Sequence, residues 1–173
     1  MFLEMMMNNN RLKLNNRLKF RVWCPIVNAW NDSDQLCLRP NGSVTDGSIW
    51  IDSKYLQFCT GLKDKNNKLI YEGDIIEISY QDYYSKTKDL FYDFYEVIFY
   101  CGDYEVNDGE YTLALNGFCA KKIKTTNKSR SYKIGTISSL GKAIKIENCG
   151  AFGLDAALYK VIGNTFENED LLK

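Results

Sequence analysis

The most site-like arrangement in the sequence is Glu72-Gly73-Asp74, two carboxylates flanking a glycine. Paired carboxylates do acid–base work when they face each other across a cleft and burial raises one pKa. Beside a glycine they suit turn chemistry better: Gly73 can take a positive φ, and the Asp74 carboxylate can accept from nearby N–H groups. A nuclease needs acids spaced to hold Mg²⁺, and the eleven acids of residues 72–110 show no such spacing. Histidine is absent, which removes the usual general base, the commonest metal ligand, and Ser-His-Asp or Cys-His catalysis. The 6 cysteines, at positions 24, 37, 59, 101, 119 and 149, form no CxxC knuckle that would start a zinc site. A reactive thiolate needs a cationic neighbour, and Cys119, close to Lys121-Lys122, is the one candidate. No GxGxxG or GxxxxGK[ST] phosphate loop occurs. The expectation is a binding protein without catalytic residues, metal or cofactor.

Two stretches suit binding. Tyr83, Tyr84, Phe91, Tyr92, Phe94 and Tyr95 crowd a short segment. Tyrosine is enriched in contact surfaces because it adds area at little entropic cost, so Tyr83, Tyr84, Phe91, Tyr92 and Tyr95 are candidates for an interface with another subunit or a partner protein. The second stretch is basic: Lys121, Lys122, Lys124, Lys128, Arg130 and Lys133 fall together, with Tyr132 among them. Such lysines can contact phosphates and the aromatic can stack on a base, which makes nucleic-acid binding the alternative. The net charge is 0, so nothing overall draws the chain to DNA, RNA or an anionic membrane. The charges are nonetheless segregated. Residues 72–110 hold eleven acids and two lysines (net −9), and residues 111–146 hold eight basic residues and no acid (net +8). Pairing across neighbouring strands is the simplest expectation.

The elements that position these residues read as strands. Apolar residues make up 45% of the chain and aromatics 14%, enough for a core. Leu18-Lys19-Phe20-Arg21-Val22-Trp23 alternates apolar and basic residues, the period of a strand with one buried face, and Pro25 ends it. Turn signals recur between short runs of Val, Ile, Tyr and Phe, which indicates an all-β sandwich or barrel. Asn116-Gly117 predicts a type I′ hairpin turn, and Asn107-Asp108-Gly109 a three-residue loop. Together they predict a meander over residues 94–124. Residues 81–93 read as a short helix that Asp82 could cap or as a long loop, and Asn168 could cap one C-terminal turn over Glu169–Leu172. Residues 1–17 read as a flexible appendage, with translation starting at Met1 or a later methionine, and residues 18–173 as one β domain. The start is apolar for too few residues to be a signal peptide. No run approaches the roughly 20 apolar residues of a membrane span. The cysteines are expected to be reduced, in a cytoplasmic protein.

Residues 57–78, from Gln57-Phe58-Cys59-Thr60-Gly61-Leu62 through Tyr71-Glu72-Gly73-Asp74 to Ile78, resemble the signature block of the YopX family, common in prophages of Gram-positive bacteria. Three further stretches agree in order: Leu18–Trp23, containing Phe20 and Trp23; Tyr95–Phe99 before Gly102-Asp103-Tyr104; and Tyr159–Asn168, containing Gly163 and Asn164. The chain departs from the family pattern at Cys24-Pro25, where Asp usually follows the Trp. It departs again at Asn66-Asn67, usually Asn-Gly, and at Asn168-Glu169-Asp170, usually Asn-Pro-Glu. The resemblance implies a mainly β fold, with an SH3-like barrel core and added hairpins, in a prophage accessory protein. It supplies no active residue. Residues 124–157 carry no family pattern.

Overall fold

The computed structural model describes residues 19–32, 36–39, 43–45, 50–81, 89–106, 111–128, 135–141, 144–146, 150–152, 154–155 and 158–172. The expected N-terminal appendage, the Asp82 cap, Tyr83, Tyr84, Arg130, Tyr132, Lys133 and the 107–109 loop lie outside the described residues, while Gln81 and Leu90–Asp93 of the helix or loop expected over 81–93 are strand instead, within Asp74–Gln81 and Leu90–Val106. Among the described residues the fold is mainly β with almost no helix. Contacts divide the chain into two compact units at Gly61/Leu62.

In the first unit, β1 (Phe20–Cys24) lies between β2 (Ala29–Asn31) and β6 (Leu56–Lys63), antiparallel to both. β3 (Cys37–Leu38), β4 (Val44–Thr45) and β5 (Trp50–Ile51) form a separate small sheet. Val22, Val44 and Ile51 are the buried cluster, with Phe20, Leu36, Tyr55 and Leu56 packed against it. The expected basic solvent face of β1 is not there: Arg21 and Trp23 are buried as well as Val22. The cause is stacking. The Arg21 guanidinium lies 3.9 Å over the Trp30 ring and donates to Gln57 Oε1 at 2.9 and 3.2 Å, while Trp23 meets Trp30 edge-on at 5.0 Å. A planar guanidinium can be buried this way because its charge is delocalised and its donors are met.

In the second unit, the last residues of β6 lead through a turn to β7 (Leu69–Tyr71). A six-stranded sheet follows in the order β14-β11-β10-β9-β8-β15. Its strands are β8 (Asp74–Gln81), β9 (Leu90–Val106), β10 (Tyr111–Thr125), β11 (Ile137–Gly141), β14 (Leu154–Asp155) and β15 (Lys160–Asn164). β12 (Ile144–Ile146) and β13 (Gly150–Phe152) pair with each other. The six-stranded sheet curls as a half-barrel. Ile70, Ile76, Val97, Ala120, Leu140 and Val161, one from each of β7, β8, β9, β10, β11 and β15, form the core with Tyr159. Each such branched side chain contributes roughly 1.5–3 kcal/mol by leaving water.

The expected meander is instead one long hairpin. Asn116-Gly117 lies inside β10, opposite Cys101 and Tyr100, and Gly102 lies inside β9, opposite Leu115. Gly117 has φ +132° and Gly102 φ +149°, values that side chains resist, so the glycines let a long ribbon twist without turning. The strands still meet end to end, with Val106 opposite Tyr111. The Glu169–Leu172 segment is a 3-10 turn, and the Asn168 side chain accepts backwards from the Asn164 N–H at 3.2 Å.

The β6–β7 turn is built on Asp64. Its Oδ1 accepts from the Asn66 and Lys68 N–H groups, both at 2.8 Å, and its Oδ2 from the Val161 N–H at 3.0 Å. Asn67 has φ +65°, the left-handed value that explains why glycine suits this position and asparagine is tolerated. Burial pushes the Asp64 carboxyl upward, but the three backbone donors outweigh it and hold the pKa below the usual carboxylate value. A lowered carboxylate stabilises the fold above its unfolded pKa of about 3.9 and loses that contribution as pH falls through the folded value. Asp64→Asn, which points an NH₂ at one of these donors, should cost about 1–3 kcal/mol at pH 7 in urea unfolding. The gap to wild type should narrow below about pH 3.9.

Candidate functional site

The signature residues form a joint. Gly73, at φ +73°, turns the chain between β7 and β8. Its N–H donates to Val97 O at 2.7 Å, and its carbonyl accepts from Thr165 N–H at 2.9 Å. Asp74 is buried. One carboxylate oxygen accepts from the Tyr71 N–H at 2.9 Å and the other from Asn164 Nδ2 at 3.0 Å. The Asn164 amide oxygen then accepts from Phe166 N–H at 3.0 Å. Gly163 sits where a Cβ would run into the Asn168 side chain and meet Leu171 Cδ1 at 3.0 Å. Asp74 therefore has the turn role expected for it. Glu72 is half-buried in the same turn. Thr60, Gly61 and Leu62 lie on β6, with Gly61 at φ +77°, and Leu62 packs on the core.

The charge segregation resolves at the β9–β10 ladder. Lys121 stands opposite Glu96, and the Lys122 ammonium donates to Asp93 Oδ2 at 2.7 Å, both groups buried. The pair sits beside a register shift between Lys122 and Lys124. Tyr80 and Tyr95 hydroxyls donate to the two Asp93 oxygens at 3.4 Å, and Lys122 lies 5.8 Å from the Tyr95 ring centroid. Tyr95 meets Tyr159 edge-on at 5.6 Å. Burial raises both phenols above their ordinary range, with the Asp93 charge adding to the effect on Tyr95 and the neighbouring Tyr95 to that on Tyr159.

Placement changes what each expected site residue can do. Tyr95 is half-buried and packs against the core, and Phe91 and Tyr92 are half-buried at the start of β9, with Phe91 packed on Tyr80 at 6.1 Å. Lys122 is enclosed by its ion pair, so of the basic stretch Lys121, Lys124 and Lys128 remain exposed among the described residues. Cys119 is buried, and burial raises its thiol pKa, the reverse of an activated thiolate. The five described cysteines are free thiols. Among the described residues no three of His, Cys, Asp and Glu are grouped to hold a metal, and no helix is long and apolar enough to cross a membrane.

Phe99 was not among the expected site residues. β8 pairs with β9 only up to Glu96, and β11 pairs with β10 only from Cys119 to Lys121. Beyond that level, β9 and β10 have only each other as described strand partners, as an arm about 30 Å long at roughly 3.4 Å per residue. At its base Phe99 is 56% exposed and packs edge-on against Phe118 at 5.5 Å. The signal was present in the alternation of Tyr95, Val97 and Phe99. Where that face leaves the core could not be read without the pairing.

These features define a mainly β protein whose signature turns are fastened by buried carboxylates and whose longest hairpin runs past its sheet. The YopX protein family matches residues 19–173, nearly the whole chain, and the chain belongs to that family. Among solved structures, the crystal structure of protein EF1440 from Enterococcus faecalis is similar at 21% identity, over 90% of this chain and 98% of that one, with a TM-score of 0.38. No curated protein matches.

The buried pair gives a direct prediction. Lys122→Met leaves the Asp93 charge enclosed and should cost about 3–5 kcal/mol in urea unfolding. The double variant Asp93→Leu/Lys122→Met should recover much of that loss.

Proposed function

We propose that this chain is a non-catalytic prophage accessory protein that acts by binding protein through the β9–β10 arm. The carrying observation is Phe99, a large aromatic left 56% exposed on a ribbon with no further described strand beside it. A two-stranded ribbon is marginal alone in water and gains from a third strand or a covering surface. Exposed aromatics on such an element mark contact surfaces. The curled sheet supports the SH3-like barrel implied by the family, and five free thiols agree with a reducing compartment such as the cytoplasm.

Nucleic-acid binding is the weaker reading. Lys122 is bound to Asp93 and Lys121 has Glu96 opposite it, so two lysines of the stretch already face acidic partners, while Lys124 and Lys128 are exposed.

Phe99→Asp tests the binding role. Because the side chain is more than half exposed, the substitution should cost only about 1–2 kcal/mol, from the lost contact with Phe118 and the poor strand propensity of Asp, and should leave the fold intact. It should abolish capture of protein by the tagged full chain, whether the captured protein is untagged chain or comes from host extract. Equal capture by both forms would contradict the proposal.

A further inference from the structure

The two edges of the arm differ in charge, and that difference selects the occupant. Along β9 the arm carries Asp103 and Glu105. Along β10 the outer segment reads Tyr-Thr-Leu-Ala-Leu-Asn-Gly-Phe over Tyr111–Phe118, with no charge and no proline. Proteins blunt exposed strand edges with charge, proline, bulges or a covering element. The register shift in this ladder lies at Lys122/Lys124, outside the segment, and the pairing from Tyr111 to Phe118 is continuous. No described strand other than β9 pairs with residues 111–118. The edge is therefore a template for one more strand.

Resting on the binding role above, we propose that the occupant is a second copy of this chain, joined by antiparallel pairing of β10 with its counterpart across residues 111–118. Such a contact is two-fold and self-complementary. The composite sheet would run β9-β10-β10-β9. Its acidic strands would lie outermost, about 14 Å apart at roughly 4.8 Å per strand, beyond the screening length of about 8 Å in physiological salt. Pairing through β9 would instead set Asp103 and Glu105 against their own copies on adjacent strands, where like charges repel. A foreign strand is selected by charges on the edge it meets, and β10 offers none. An identical uncharged strand needs none.

The test uses the full chain, by light scattering after size exclusion and by amide hydrogen exchange at several protein concentrations. The expected result is a dimer whose 111–118 amides exchange about tenfold more slowly than in the dissociated monomer. Residues 90–96, already flanked by β8, should be unchanged. Ala114→Lys should give a monomer with an unaltered far-UV circular dichroism spectrum, and the exchange readout on wild type stands without any variant. A dimer whose 111–118 exchange does not follow dissociation, or one that survives Ala114→Lys, would overturn the inference. So would a wild type that is monomeric at every concentration. If that monomer still captures host protein in a Phe99-dependent way, the second copy alone is refuted; if it captures none, the binding role falls with it.

Discussion

The architecture of the second unit depends on two buried carboxylates that reach the last strand. Asp64 takes the Val161 N–H and Asp74 takes the Asn164 amide, so the turns on either side of β7 both hold β15. β15 is the edge of the six-stranded sheet beside β8, and Val161 belongs to the core. The other anchors of this strand are a short ladder with a register shift between Val161 and Gly163 and the backbone bonds of Tyr159 to Lys65 and Thr165 to Gly73. A carboxylate with backbone and amide donors on both oxygens is stronger than a neutral acceptor and fixes direction as well as distance. The close approach at Gly163, where a Cβ would strike Asn168, seats the chain end against the same joint.

Much of this was legible in the sequence because turn chemistry is local. Gly73 and Asp74 act as their types and neighbours indicate. The acidic and basic segments adjoin as β9 and β10. Asn116-Gly117 misled because Asn-Gly permits a tight turn without requiring one. In a ribbon this long, the same freedom in φ is used for twist, and the two strands stay paired from Thr125 to Tyr111.

Burial parity was legible only where register was simple. The shift between Lys122 and Lys124 breaks the two-residue period, so no count along the sequence could say which lysine faces inward. Arg21 failed as a solvent-face marker for another reason. Its partners, Gln57 and Trp30, come from two other strands, and only their pairing with β1 brings them over the guanidinium. Phe99 is the converse: its type says core, yet β8 stops short of it. The signature block thus explains folding, and the exposed Phe99 lies on the arm, outside that block.

The joint between Asp74 and Asn164 is tested most directly by a double-mutant cycle, with Asp74→Ala, Asn164→Ala and the double variant unfolded in urea. A coupled buried pair should give losses that fall short of additivity by about 1 kcal/mol or more. Losses that simply add, within about 0.3–0.5 kcal/mol, would show that the two side chains do not hold the last strand together.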